Sequence, residues 1–399
     1  GVLFNHTGTC EVQTGTLNLT GGGTSSGTFE AKSGTTLNFG GGTQTLQTGS
    51  SVTGVGAIGF SGGTTNVEGA YNVTGTTRVN GGAANFNAAN CLTETLNLTG
   101  GTLGGTGTLT VNDTLDWNGG GGMAGSGKTV IASGATVTVQ GDHGGITSRT
   151  LDNYGTVTWM GPGQYGRWEW STCTFNNLSG GMFHLYSSTQ IQNWGGTPTI
   201  NNAGLLQAHP TATCTVGVRV VNTGTIDVQS GTLALSGGGT CSSTLTTGLN
   251  AALSFTGGTH ALQSGTTVSG SGATRVAGAT VNVDGDVSVL SGGTLALAQG
   301  QLGVAGTLTV NGTLNWAGDY GAMVGTGKTL IAAGAQMTIG GNHGGLSDRT
   351  VDNYGSTTWT GPGNYGRFEW TRAVFNIKSG GVLDLRSDTE IQNWGGAPT

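Results

Sequence analysis

Short words in which apolar and polar residues alternate recur along the chain: Thr16-Leu17-Asn18-Leu19, Thr36-Leu37-Asn38-Phe39, Ala57-Ile58-Gly59-Phe60, Thr95-Leu96-Asn97-Leu98 and Thr136-Val137-Thr138-Val139. A period of two puts one set of side chains on each face of a strand, which is the pattern of half-buried strands. The helical period of 3.6 is almost absent, and Gly-containing turns separate the words. Leu17 and Leu37 lie 20 residues apart, room for two or three short strands with their turns. Such spacing predicts an all-β fold, a parallel β-solenoid of about twenty coils rising about 4.8 Å each.

The chain is also a duplication. Residues 128–199 align with 328–399 without a gap, and more than half of the positions are identical. His143 maps to His343, Trp159 to Trp359, Trp170 to Trp370 and Trp194 to Trp394, all at an offset of 200. Upstream, Thr43 maps to Thr259 and Val67 to Val283 at an offset of 216, which falls to 199 by Gly107 and Gly306. The first copy therefore holds 17 extra residues between Val67 and Gly107, the difference between those offsets. A stack of equivalent coils tolerates such a change, because one coil can be lost and its neighbours close up. The organisation read from this is a first solenoid unit at 1–216 and a second at 217–399 that ends inside the repeat. Within the first, Gly/Thr-rich coils occupy 1–115, Trp-rich coils 116–199 and a junction 200–216.

Composition sharpens the class. Gly is 82 of 399 residues while Pro is only 5 and charged residues 8%. A charge-rich disordered tail and a collagen repeat are both excluded by those values. No apolar run is long enough for a transmembrane helix. The net charge of −6, with 13 Lys and Arg spread thinly, gives no basic stripe for nucleic acid. The chain starts at Gly1 without Met or a signal peptide, as a mature or cropped piece would. Cys10, Cys91, Cys173, Cys214 and Cys241 are odd in number, lack metal-ligand spacing and are not repeated as pairs. They read as small buried stack residues.

High Gly content makes motif matches cheap. Gly122 to Thr129 fits the phosphate-binding pattern G-x4-G-K-T, but Lys128-Thr129-Val130-Ile131 continues as a strand word, not the helix that such a loop needs. Gly54 to Gly59 fits a dinucleotide fingerprint with no βαβ unit around it, and Gly23 to Gly27 mimics a nucleophile elbow whose repeat equivalent has Cys241. Asp284-Gly285-Asp286 could suit calcium, yet the first copy reads Glu68-Gly69-Ala70. His143 and His343 are the best metal candidates, but no second ligand accompanies them, so a corner His bonded to a turn carbonyl is the reading adopted. Neither a metal nor a cofactor is implied.

The Trp-rich segment is the most informative. All nine Trp lie within 117–194 and 316–394. Gly161-Pro162-Gly163-Gln164-Tyr165-Gly166-Arg167-Trp168-Glu169-Trp170 recurs at 361–370 with Phe368 in place of Trp168. On a strand, Trp168 and Trp170 share one face and Glu169 takes the other. Facing outward, Tyr165, Arg167, Trp168 and Trp170, and likewise Tyr365, Arg367, Phe368 and Trp370, would form a glycan-stacking or lateral-contact surface. Facing inward, the Trp rings would fill a wider coil, with Tyr165 and Arg167 left on the turn. The inward orientation is favoured. Asn153, Asn193, Asn353 and Asn393 stand close before Gly and read as structural ladders, each amide bonding its equivalent one coil away.

The words Ser230-Gly231-Thr232-Leu233-Ala234-Leu235, Asn222-Thr223-Gly224-Thr225-Ile226-Asp227-Val228 and Asp152-Asn153-Tyr154-Gly155-Thr156-Val157-Thr158-Trp159 resemble those of large bacterial secreted or surface repeat proteins, of the haemagglutinin or autotransporter-passenger kind. The resemblance implies a right-handed parallel β-helix, export to the bacterial surface or beyond, and a role in adhesion, matrix or surface filaments. The expected function is a structural repeat segment of a filament, stalk or biofilm-matrix fibre, associating with itself end to end or laterally and with surface polysaccharide. A glycan-binding adhesin that forms no filament is the alternative. A polysaccharide lyase or hydrolase ranks lower, because it needs convergent carboxylates. Only Asp152/Asp352 and Glu169/Glu369 keep their charge prominently in both copies. A non-enzymatic role is expected.

Overall fold

A computed structural model describes residues 1–342, 344–362 and 365–399, with the backbone alone at Gln164. It is all-β: parallel strands stack as a β-solenoid of about 18 turns, close to the coil number expected from word spacing. The chain divides into two compact units, Gly1–Leu205 and Leu206–Thr399.

The coils of unit 1 contribute to three strand columns, some with separate short strands and some with one longer strand that runs through two or three columns. Column A begins with Thr9–Val12 and Thr28–Ala31, column B with Thr16–Leu19 and Thr36–Phe39, and column C with Gly23–Ser25 and Thr43–Leu46. Every strand pairs in parallel with its equivalent in the next coil, so the alternation within one word becomes a row along the stack. One row of column B runs Leu19, Phe39, Phe60, Val79, Leu98, Trp117, Val139, Trp159 and Leu185 in strict register. All nine are buried. Burying a side chain of this size contributes about 1.5–3 kcal/mol, so the stacked rows form the stabilising core.

Unit 2 repeats the arrangement: Phe255, Val276, Leu297, Trp316, Ile339 and Trp359 form one buried row. The length difference between the copies is one coil. Between Val67 and Thr108, unit 1 holds two coils, Ala70–Phe86 and Cys91–Gly104. Between Val283 and Thr307, unit 2 holds one, made by Asp286–Val289 and Thr294–Val304.

Glycine serves this fold in two separate ways. Gly134 adopts a φ of +85° in open space, a left-handed corner that disfavours any Cβ. Gly155 has no such φ, but an added Cβ would lie 2.2 Å from the Ala135 carbonyl oxygen, so close approach of the backbone requires it. Among the described residues, no helix is long and apolar enough to cross a membrane.

Candidate functional site

In unit 1 the chain leaves column B at Trp159, turns through a short 3-10 segment at Gln164–Gly166 and enters column C as Arg167–Ser171. Tyr165 holds a left-handed φ of 55° on that turn, which throws its ring outward, 76% exposed. Alternation along the strand then turns Trp168 and Trp170 inward, both fully buried. Trp168 packs at ring-centroid distances of 5.6 Å from Trp117, 5.7 Å from Trp159 and 5.1 Å from Trp170. Phe368 occupies the same place in unit 2, 5.7 Å from Trp316 and 5.5 Å from Trp370. Burial removes Trp168, Trp170 and Phe368 from the contact surface, and Trp370 points the same way on its strand. The three buried rings are core, and Trp370 is half-buried.

What remains outside is a small cationic and aromatic cluster. The Arg167 guanidinium lies 5.6 Å from the centroid of Tyr165 and 4.7 Å over the ring of Trp194, which is 57% exposed. Arg167 Nε donates to Glu169 Oε1 at 2.8 Å. Unit 2 repeats the geometry: Arg367 is 5.6 Å from Tyr365 and 4.8 Å from Trp394, with its Nε 3.0 Å from Glu369 Oε1. Exposed cation–π contacts contribute about 0.5–1 kcal/mol each, enough to hold the arginine in place without burying it.

Trp194 and Trp394 were not singled out as contact residues by sequence reasoning. Column register explains why. Trp170 pairs with Asn193 and Ser171 with Gly195, so Trp194 is the extra residue of a β-bulge and escapes simple alternation. Unit 2 has the same shift at Trp394. The available signal was the invariance of Gln-Asn-Trp-Gly-Gly between the copies.

The asparagines divide into two groups. Asn153 donates to Asn177 Oδ1 at 2.8 Å, and Asn177 in turn to Asn202 Oδ1 at 2.7 Å, a buried ladder. Asn353 does not extend this way, because its register partner is Ile377; its amide donates to the Val382 carbonyl at 2.8 Å instead. Asn193 and Asn393 are turn residues, not ladder members: each accepts from the Gly two residues on and donates to the Gly396 or Gly196 carbonyl of its own turn. Ladders that the sequence reading did not name join Asn18 to Asn38 and Asn66 to Asn85.

His143 is not poised for a metal. Its Nδ1 donates to the Gly144 carbonyl at 3.1 Å and its Nε2 accepts from Trp159 Nε1 at 3.0 Å, which fixes one neutral tautomer. Burial pushes its pKa down, only partly opposed by the Gly144 hydrogen bond and the Asp142 charge. His343 lies outside the described residues. Among the described residues no group of three or more His, Cys, Asp or Glu could hold a metal ion. Lys128, the lysine of the phosphate-loop match, sits on a strand and is ion-paired with Asp152, as Lys328 is with Asp352. The cysteines are free thiols: Cys91, Cys173, Cys214 and Cys241 are buried and Cys10 partly exposed. Burial pushes the first three up to about 12.

The chain matches no protein-family model and no curated protein sequence. Among solved structures it is similar to the TibC-catalysed hyper-glycosylated TibA55-350 fragment, at 15% identity and a TM-score of 0.19, covering 98% of this chain and 100% of that one. So low a score carries no argument about this chain's role.

Proposed function

We propose that the protein is a structural β-solenoid of the bacterial surface, a length of a filament, stalk or matrix fibre that carries adhesive patches. One observation carries the reading: the same outward Tyr–Arg–Trp cluster recurs once in each unit, on coils whose number varies by whole turns. A scaffold that changes length without disturbing its surface suits repeated display, and weak contacts that recur along a fibre gain avidity. A non-enzymatic role is part of the proposal. It is supported by the placement of Asp152 in column A and Glu169 in column C, each already tied to a cation.

Electron microscopy of the protein purified from its native source, without reassembly, tests the proposal. Continuous fibres with a coil rise near 4.8 Å and a superimposed repeat of about two hundred residues are expected. Isolated short rods would overturn the filament part. The second reading, an adhesin without filaments, would then be favoured by the exposed cluster itself.

A further inference from the structure

We propose that unit 1 carries a carbohydrate-binding trough beside the Tyr165–Arg167–Trp194 cluster, and that it takes one neutral hexopyranose ring of a polysaccharide. The inference rests on the adhesive reading and names its ligand class.

Parallel register sets the width of the trough. In the outer row of column C, Thr102 pairs with Gly122, and Gly145 and Glu169 follow in the next two coils. Two successive glycines leave a gap in the row between the Thr102 and Glu169 side chains, a few coil rises of about 4.8 Å across. The space is about 290 Å³. Its lining is rich in glycine and includes Thr147, Glu169, Ser171 and Trp194.

The chemistry of this lining matches a pyranose. A sugar ring has an apolar C–H face, which stacks on an exposed indole, and a rim of hydroxyls that need acceptors and donors. Trp194 supplies the aromatic face, Glu169 a charged acceptor, and Thr147 and Ser171 hydroxyls that either donate or accept. Among the described residues the lining carries no Lys or Arg, and the neighbouring Arg167 is already paired with Glu169, so the trough offers no free cation to a uronate or sialate and a neutral sugar is selected. A peptide anchor would need an apolar recess, which glycine backbone and hydroxyls do not provide.

The duplication supplies an internal control. Unit 2 keeps Trp394, Glu369, Ser347 and Thr371, but Tyr320 and Ala322 stand where unit 1 has Gly120 and Gly122. The proposal therefore places one site in the chain, not two.

The test titrates the intact chain with neutral trisaccharides of glucose, galactose and mannose in α and β linkage, and with a uronate trisaccharide, followed by saturation-transfer NMR and indole fluorescence. One site per chain is expected, saturated by at least one neutral trisaccharide. Trp194→Ala and Gly122→Val are each expected to weaken it about tenfold or more. Trp394→Ala should leave it unchanged. Trp194 is exposed, Gly122 has no left-handed φ, an added Cβ there comes no closer than 3.3 Å to the Gly145 carbonyl oxygen, and unit 2 carries Ala322 at that place, so both variants are expected to retain the fold, checked by circular dichroism. Absence of saturation below about 10 mM, tighter binding of the uronate, or unchanged binding by Trp194→Ala would overturn the proposal. If wild-type adhesion to polysaccharide-coated surfaces persists in Trp194→Ala, the trough falls and the adhesive reading stands. If the trisaccharide binds but wild type does not adhere, the reverse holds.

Discussion

Replacing Trp168 tests the aromatic core most sharply, because the second copy shows what the site accepts. Trp168 is fully buried among Trp117, Trp159 and Trp170, and its indole N–H finds no acceptor among the described residues. Truncation to alanine removes the ring and leaves a cavity, an expected loss of about 3–5 kcal/mol. Phenylalanine is the residue at the equivalent position 368, with ring contacts of 5.3–5.7 Å to Trp359, Trp370 and Trp316. Trp168→Phe leaves roughly 40 Å³ empty, about 1 kcal/mol at about 24 cal/mol per Å³. It also removes an unsatisfied buried donor, which offsets about 1–3 kcal/mol. The net change should lie between neutral and about 2 kcal/mol stabilising. Solenoids open locally, so native-state hydrogen exchange of the strands at 156–159 and 167–171 is the assay, supported by urea unfolding. Equal loss of protection in the Phe and Ala variants would refute the argument, as would an alanine cost under about 1 kcal/mol.

Three further outcomes are expected. Asn177→Leu breaks the buried ladder between Asn153 and Asn202 and should cost about 1–3 kcal/mol in urea unfolding, whereas Asn193→Ala, on an exposed turn, should cost under about 1 kcal/mol. In unit 2, burial alone would raise the Asp352 pKa, but hydrogen bonds from Lys328, Asn376 and Lys378 outweigh it and hold the carboxyl at about 2. A lowered native pKa means stability that is complete above the ordinary value of 3.8 and lost as pH falls toward 2, about 1–2 kcal/mol after screening of the half-exposed lysines; Asp352→Asn should flatten the urea midpoint over that window. With Ellman's reagent at neutral pH, Cys10, partly exposed but with its thiol pKa raised by partial burial, should react slowly in the native chain and the other four thiols only after denaturation; fast native labelling of Cys91 or Cys214 would contradict their burial.

The sequence alone determined the scaffold, because a coil is written locally. Alternation in words such as Thr36-Leu37-Asn38-Phe39 specifies which side chains face in, and glycines between words specify where the chain can turn. The duplication even predicted a change of one coil from a difference in offsets, since stacked equivalents can differ only by whole turns. Register between coils is not local, and there the tertiary structure decided. Whether Asn153 heads a ladder while Asn353 does not depends on Asn177 and Ile377 lying opposite them in the next coil. Trp194 escapes its strand's alternation through a bulge visible only in the pairing, and so reaches Arg167 at 4.7 Å. The trough beside it exists because Gly122 and Gly145, 23 residues apart, become neighbours in one row. Side-chain direction is a property of one strand, whereas a surface site is a property of several strands in register.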